Sequence, residues 1–282
     1  MSYGRGDSST GPRKSADRES GVSKSAVYKS ARADATDMDL FDSTWTDADA
    51  AATDLALLPV GSTEQHGPHA PLGTDVLTAE AVAEEAAATY DGEVVVAPAI
   101  PVGVAEEHRQ FTGTLWVSED TFRSYVRETV ASLAHHGWDR VVLVNGHGGN
   151  VGALREVAAT IVRHDSAYAV PFTWFEAVGD HSDDMGHGGP LETAMLRHVA
   201  PELVREERVE EAREGASDGW GEWVSYANLA YDSAEFTENG VVGDPQDGPK
   251  ERGEELLELA GEALVSLLEA VESRDVTLPP HK

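Results

Sequence analysis

The chain has 282 residues, enough for one large domain or two small ones with a sizeable apolar core. Its 51 acidic and 21 basic residues give a formal net charge of −30, which argues against nucleic acid binding because that needs clustered positive charge. The absence of cysteine excludes disulfides and thiolate metal ligands, so a bound metal would rely on histidine and carboxylate side chains. With no apolar run of about 18 residues and no apolar signal-peptide core, we expect a cytoplasmic protein without a membrane partner.

The acidic residues are spread over the predicted helix faces, and only five of the basic residues are lysine. One interpretation is a surface that binds cationic partners. The other is a surface that stays soluble at high salt, where screening removes the repulsion among its charges. Scattered acid with few lysines favours the second interpretation, so we expect a salt-adapted cytosol.

Residues 1–36 differ in composition from the rest of the chain. They are rich in Ser, Ala and Gly, and they carry seven basic and four acidic residues, a net charge of +3 that leaves −33 for the remainder. Such a segment cannot bury enough apolar area to fold alone. A basic binding arm is one interpretation, but a disordered extension upstream of a natural start at Met38 is favoured. A single domain is then expected over residues 38–275.

From residue 38 onward, short apolar runs alternate with helical patterns. Strands are predicted at 55–60, 93–100, 140–144 and 167–175. Helices are predicted at 75–90, 119–136, 150–164 and 254–271, the second with Ser118 as its N-cap and Gly137 at its end. Short strands alternating with helices predict an α/β fold in which a mostly parallel sheet is covered on both faces.

The segment Gly-Ser-Thr-Glu-Gln-His-Gly-Pro-His at 61–69 follows the first predicted strand directly. Its Glu64 and His66 are two residues apart, so on an extended segment both side chains point the same way and can reach one centre. Asp75 begins the next predicted helix, where the positive end of the helix dipole keeps its carboxylate ionised. These three side chains are therefore candidates for a shared metal site.

Two histidines follow the next two predicted strands. His108 comes after the second strand, and His147 lies after the third, in the Gly-rich turn Asn-Gly-His-Gly-Gly-Asn at 145–150. Ligands bind beyond the carboxyl ends of strands in open α/β sheets, and mixed carboxylate and imidazole ligands suit zinc, iron(II) or manganese. Each of the four residues Glu64, His66, Asp75 and His147 alone is more often a cap or a turn residue. Together they predict a metal-dependent hydrolase.

A second cluster occupies residues 185–193. His187 lies in a Gly-rich loop, and Glu192 lies in the first turn of the following helix. Those positions suit a general acid/base and a further metal ligand. On pattern alone, an exposed loop histidine and a glutamate that begins a helix are equally good interpretations.

Four stretches of the chain closely resemble the creatininase (creatinine amidohydrolase) family: 59–75, 107–114, 145–150 and 187–193. The resemblance covers about residues 40–270. It implies a three-layer α/β/α fold and a centre of two divalent metal ions, zinc, iron(II) or manganese. It also implies hydrolysis of a non-peptide C–N amide bond in a small molecule, by an enzyme that we expect to be a homo-oligomer.

By this resemblance, Glu64, Asp75 and His147 hold one metal, and His66 with the shared Asp75 holds the other. His187 resembles the catalytic histidine of the family, which donates a proton to the leaving nitrogen.

The chain departs from creatininase itself at one position of the site. Gly149 stands where creatininase has a glutamate, which counts against creatinine as the substrate and makes Glu192 the candidate for the missing ligand. His108, Asn150 and Trp174 are candidate substrate-binding residues. Trp174 follows the fourth predicted strand, where it could stack on a pyrimidine ring or belong to the core.

The resemblance leaves three amide substrates open. One branch of the family is an archaeal deformylase of 2-amino-5-formylamino-6-ribosylaminopyrimidin-4(3H)-one 5′-monophosphate, in riboflavin and deazaflavin coenzyme biosynthesis. A salt-adapted cytosol favours it by analogy of lineage alone. Creatinine amidohydrolase and the mycofactocin precursor peptidase are the alternatives. A metal-binding scaffold without activity is the alternative outside enzymes, and the presence of His187 counts against it.

The acidic surface predicts that stability falls as salt is removed, because at about 0.01 M salt the Debye length is about 30 Å and most of the surface repels itself. Between low and molar potassium chloride we expect the midpoint of a thermal melt to rise by more than about 4 °C, the shift that about 1 kcal/mol produces in a domain of this size. An uncharged osmolyte is the control for solute exclusion. A midpoint that is flat or falls with rising salt would contradict the interpretation.

Overall fold

A computed structural model describes residues 38–277 of the chain, which form an α/β fold. Five parallel strands make one sheet in the order β1-β3-β2-β4-β5. The strands are β1 (Met38–Asp39), β2 (Leu55–Val60), β3 (Val95–Val96), β4 (Arg140–Asn145) and β5 (Tyr168–Thr173), and a separate hairpin pairs β6 (Trp223–Val224) with β7 (Ala227–Asn228). The helices are α1 (Trp45–Ala48), α2 (Thr74–Thr89), α3 (Glu119–His135), α4 (Val151–His164), α5 (Pro190–Val199), α6 (Val209–Glu214) and α7 (Lys250–Glu272).

The sheet is covered by helices on both faces. On one face, α3 and α4 pack onto side chains of β2 and β4 in a continuous apolar cluster that includes Leu58, Leu143, Phe122 and Leu154. On the other face, α2 contacts β2 and β4 and is itself covered by α5 and α7. Every residue of β2 is buried, as expected for a parallel strand with helices on both sides. The three-layer α/β/α fold predicted from the sequence is confirmed.

Most predicted elements agree with the structure to within a few residues, but two strands are shorter than predicted. The strand predicted at 93–100 contributes only Val95–Val96, because Pro98 has no N–H to continue the ladder. The strand predicted at 167–175 ends at Thr173, and a 3-10 turn follows it. The last helix begins at Lys250, earlier than predicted.

The carboxyl ends of β2 and β4 lie against the N-terminus of α2. Val60 pairs with Asn145 in the register of the sheet, so the segments that follow the two strands begin next to each other. A Cβ atom at Gly146 would lie 2.2 Å from the carbonyl oxygen of Asp75, and one at Gly61 would lie 2.5 Å from the backbone nitrogen of Val76. These close approaches require glycine, and they bring the start of α2 to the edge of the sheet where the candidate ligands lie.

No helix within residues 38–277 is long and apolar enough to cross a membrane. The basic extension predicted at residues 1–36 lies outside the described residues.

Candidate metal centre

Four candidate ligands predicted from the sequence meet at this edge of the sheet. Glu64 and His66 lie on the segment that follows β2, Asp75 lies in the first turn of α2, and His147 follows β4. All four side chains are buried, with exposed fractions between 0% and 4%. The parallel register of β2 and β4 is what brings together residues that are more than 80 positions apart along the chain.

Asp75 lies at the middle of this group. Its Oδ1 atom is 2.9 Å from Nε2 of His66, and its Oδ2 atom is 3.3 Å from Nδ1 of His147. Glu64 lies on the second side, with Oε1 3.0 Å from Nδ1 of His147. One carboxylate therefore offers an oxygen to each of two neighbouring groups of ligands, as a bridging ligand between two metals must.

Backbone carbonyls fix which nitrogen of each imidazole faces inward. Nε2 of His147 donates to the carbonyl oxygen of Val104 at 2.6 Å, and Nδ1 of His66 donates to the carbonyl oxygen of Glu64 at 3.2 Å. A carbonyl only accepts, so the outer nitrogen carries a hydrogen, and the inner nitrogen is the one that can offer a lone pair to a metal. Metal-binding histidines are usually oriented in this way.

The polar atoms of the group fit divalent cations. Both carboxylate oxygens of Glu64, both of Asp75 and Nε2 of His66 are buried without a hydrogen bond of good geometry. Burial raises the pKa of Glu64 to about 7. Burial opposes the charged form of His147, but the combined attraction of Glu64, Asp75 and Glu107 outweighs it and raises the pKa of His147 to about 10. Protons on the imidazoles thus balance the buried carboxylates, and bound cations would replace those protons.

Glu192 completes the side of the centre that contains His66. It lies in the first turn of α5 and is 3% exposed, with Oε1 3.6 Å from Nε2 of His66. Its Oε2 atom accepts a hydrogen bond from the backbone N–H of Gly188 at 2.5 Å. Burial opposes its ionisation, but His66, His187 and the backbone N–H of Gly188 together outweigh that effect and lower the pKa of Glu192 to about 2. This ionised carboxylate suits the ligand role proposed for it.

No side chain fits at Gly149, where creatininase has a glutamate. A Cβ atom there would lie 2.2 Å from the carbonyl oxygen of Val104 and 2.5 Å from Nε2 of His147. That nitrogen is on the edge of the imidazole turned away from Glu64 and Asp75. With this backbone, a further carboxylate for the centre must come from another element, and α5 provides Glu192.

His187 lies beside the candidate ligands on the loop before α5. Its Nε2 atom donates to the carbonyl oxygen of Gln65 at 2.5 Å, and its Nδ1 atom is 3.8 Å from Oε1 of Glu64. Its ring stacks between those of His66 and His108, with centroids 4.2 Å from each. Burial, followed by the nearby charge of His66, lowers the pKa of His187 to about 3, so its imidazole is neutral.

The three expected substrate-binding residues have different environments. His108 is 1% exposed but lies against the cavity above the centre, with Nε2 3.6 Å from Oε1 of Glu64. Burial lowers its pKa well below the usual value. Asn150 is fully buried and links two turns, because its Oδ1 atom accepts from Val104 N at 3.0 Å and its Nδ2 atom donates to Gly61 O at 3.1 Å.

The stacking role suggested for Trp174 does not fit its position. The side chain is 0% exposed, and its Nε1 atom donates to Oγ1 of Thr78 at 3.2 Å on the inner side of α2. The 3-10 turn after β5 directs Trp174 into the core, whereas its neighbour Phe175 lines the cavity. Trp174 is therefore a core residue. The side chain of Asn150 likewise forms its hydrogen bonds within the protein.

Two residues that contribute to the site were missed in the sequence. Gln65, between two candidate ligands, contacts both His187 and His108. Trp220 lines the cavity and packs edge-on against His108 and His187, with centroids 5.7 Å and 6.1 Å away. Trp220 lies just before the β6–β7 hairpin, outside any helix or strand. No periodic pattern there predicts which way its side chain points.

The cavity above the centre has a volume of about 650 Å³. Besides His108, His147, His187 and Glu192, it is lined by the aromatic rings of Phe175 and Trp220. Its described lining includes six further acidic residues and no lysine or arginine; the acidic residues are Glu107, Asp183, Asp184, Asp218, Asp244 and Asp247. The mouth of the cavity therefore favours neutral or cationic groups over anions.

Residues 42–268 match the family model of creatininase, described as creatinine amidohydrolase, and the chain belongs to this family. A solved structure described as "Creatininase Mn" matches with a TM-score of 0.72 and 24% sequence identity, over 84% of this chain and 100% of that one, which supports the fold.

Two curated relatives differ in their sequence identity to this chain and in the length over which they match it. The mycofactocin precursor peptide peptidase of Mycobacterium ulcerans (strain Agy99) is 40% identical over 160 residues, 54% of this chain and 61% of that protein. The creatinine amidohydrolase of Pseudomonas putida is 27% identical over 253 residues, 80% of this chain and 94% of that protein. The chain thus spans about 61% of the length of the first relative, whose similarity is the stronger of the two.

The geometry predicts about two divalent metals per chain, and it predicts that Glu192→Gln loses the one beside His66. The amide keeps the shape of the side chain but removes the charge that faces His66. Elemental analysis after reconstitution with excess manganese should give a stoichiometry near two for the wild type and near one for the variant. Glu202→Gln, at an exposed position just beyond α5, is the matched control.

Two metals in Glu192→Gln would exclude Glu192 as a ligand without affecting the rest of the centre. A wild-type stoichiometry that never exceeds one would contradict the binuclear site itself.

Proposed function

We propose that the chain is a metal-dependent amidohydrolase that uses a binuclear centre to hydrolyse an amide C–N bond. The observation that carries the proposal is the position of Asp75, which offers one oxygen toward His66 and the other toward His147 beneath an open cavity. Two cations held by Glu64, His66, Asp75, His147 and Glu192 would lower the pKa of a water molecule and polarise a carbonyl oxygen. Family membership supports the same reaction class.

His187 is suited to move the proton that this hydrolysis requires. Its Nε2–H is held by the Gln65 carbonyl, so Nδ1 is the nitrogen left free to accept, and that atom faces Glu64. As the water oxygen bonds to the carbonyl carbon, Nδ1 takes the proton of the water. When the C–N bond breaks, Nδ1 passes the proton to the leaving nitrogen. A metal-binding scaffold would need no such group, which favours the enzyme over the scaffold.

The charge of the cavity bears on the choice among substrates. The deformylase substrate expected from the sequence carries a 5′-phosphate, and the described lining offers it neither lysine nor arginine. A phosphate is normally bound by such side chains or by several backbone N–H groups. The acidic lining instead supports an amide without a phosphate. The mycofactocin precursor peptide is then the first candidate, because the peptidase relative is 40% identical, and creatinine is the second.

A panel of four substrates tests this order with manganese- or zinc-loaded protein. It contains a mycofactocin precursor peptide, creatinine, the formylamino-pyrimidine nucleotide and the matching nucleoside without phosphate. We expect cleavage of the peptide or of creatinine, and slower release of formate from the nucleotide than from the nucleoside. Efficient formate release from the nucleotide would establish the deformylase and overturn the argument from cavity charge. No hydrolysis of any of the four would contradict the proposed function.

His187→Ala should keep both metals and lose the chemical step. The imidazole lies beside the ligands, and a general acid/base contributes about 10²- to 10⁴-fold to the rate, so we expect kcat to fall by that factor with metal content unchanged. His181→Ala, a partly exposed histidine on the same loop, is the control and should stay near wild type. Loss of a metal from His187→Ala would make His187 a ligand, and near-normal turnover would exclude its catalytic role.

A further inference from the structure

Gln65 is buried between two candidate metal ligands, and its side-chain amide has a defined orientation. Its Oε1 atom accepts a hydrogen bond from the backbone N–H of Gly67 at 2.9 Å. Its Nε2 atom donates to the carbonyl oxygen of Gly240 at 3.0 Å. Each partner fits only one end of the amide, since an N–H donates and a carbonyl accepts. The positions of the amide oxygen and nitrogen are therefore fixed by the backbone around them.

This orientation determines the tautomer of His108. The second N–H of the Gln65 amide points at Nδ1 of His108 at 2.9 Å, so Nδ1 must accept. Ser233 also contacts Nδ1, at 3.1 Å, and its hydroxyl can rotate to donate there or to the carbonyl oxygen of Glu107. The hydroxyl adapts to either tautomer, whereas the amide does not. With Nδ1 as an acceptor, the hydrogen of the neutral ring sits on Nε2.

Nε2–H of His108 faces the reaction centre. The atom lies 3.6 Å from Oε1 of Glu64, beyond hydrogen-bond length, and the ring forms part of the cavity lining. A nitrogen that carries its hydrogen has no lone pair for a metal, so this tautomer counts against His108 as a ligand, although Glu64, His108 and His187 are close enough to form a ligand group. What His108 offers to the cavity is a hydrogen-bond donor.

The same residue gives His187 the opposite orientation. The backbone carbonyl of Gln65 accepts from Nε2–H of His187, which turns the lone pair of Nδ1 toward Glu64. The two imidazole rings stack with a centroid distance of 4.2 Å and an interplanar angle of 20°. A single residue thus holds an acceptor, His187, and a donor, His108, side by side at the same cavity wall.

We propose that His108 is a second catalytic residue, whose Nε2–H donates to the amide carbonyl oxygen as that oxygen gains negative charge, and that Gln65 is the positioning residue that fixes its tautomer. The proposal rests on the proposed amide hydrolysis. A neutral, buried donor held in advance suits this task, because it stabilises the developing charge without rearranging during the reaction. His187 moves the proton, and His108 stabilises the oxyanion.

The tautomer can be tested without any substrate. Nitrogen-15 NMR of the histidine side chains distinguishes Nε2–H from Nδ1–H, and the signals of His108 are identified by their loss in His108→Gln. In wild-type protein loaded with zinc we expect the Nε2–H form. In Gln65→Met, which keeps the length of the side chain but has no donor, we expect a mixture of tautomers. An Nδ1–H ring or an imidazolium at His108 in the wild type would overturn the proposal, as would an unchanged tautomer in Gln65→Met.

Two substitutions at His108 separate its catalytic role from its structural role. His108→Asn keeps a polar atom near the position of Nδ1 for Gln65 and Ser233 but has no group at the position of Nε2. His108→Gln places an amide N–H there. On the best substrate of the panel we expect kcat of His108→Asn to fall by about 10²- to 10³-fold, the effect of removing one oxyanion donor, with metal content unchanged. His108→Gln should recover at least about tenfold of that loss.

Equal losses in the two variants, or loss of a metal in either, would contradict the donor role. If wild-type protein hydrolyses none of the panel, the proposed function and the catalytic role of His108 fail together. The NMR measurement still decides, independently, whether Gln65 fixes the tautomer.

Discussion

Two carboxylates, Glu64 and Asp75, lie buried within reach of the same imidazole, and the structure of the site depends on how their charge is balanced. An uncompensated charge inside a protein costs several kcal/mol, so such a pair persists only with counter-charges of good geometry. His66 and His147 provide positions for those counter-charges as protons, which bound cations would replace. Only glycine fits at positions 61 and 146, because any side chain there would separate Asp75 from the strands that carry its partners.

The same arrangement explains why backbone carbonyls surround the imidazoles. The carbonyl oxygens of Glu64, Gln65 and Val104 each accept from a histidine nitrogen and so direct the other nitrogen inward. The Gln65 side chain does the reverse for His108. The chain thereby orients four of its buried histidines so that three can direct a lone pair inward and one directs a donor inward. That division matches what amide hydrolysis needs: ligands, a proton carrier and a donor for the oxyanion.

The sequence predicted the parts of this site that depend on position along a regular element. β2 and β4 are nearly continuous apolar runs, and the carboxyl ends of parallel strands meet at one edge, so Glu64, His66 and His147 could be placed together before the structure was known. The direction of a side chain after a strand ends could not be predicted in this way. Trp174 and Phe175 are adjacent and both buried, and only the 3-10 turn that follows β5 decides which one points into the core and which lines the cavity. The role of Gln65 was equally hidden, because it depends on Gly240, which is distant in sequence.

The central claim is that two cations share Asp75, and anomalous scattering from crystals of the manganese-loaded protein tests it most directly. We expect two anomalous peaks, each next to a different oxygen of Asp75, one with Glu64 and His147 and the other with His66 and Glu192. Data collected above and below the manganese edge would exclude other ions. A single peak at saturating manganese, or two peaks of which only one contacts Asp75, would contradict the account.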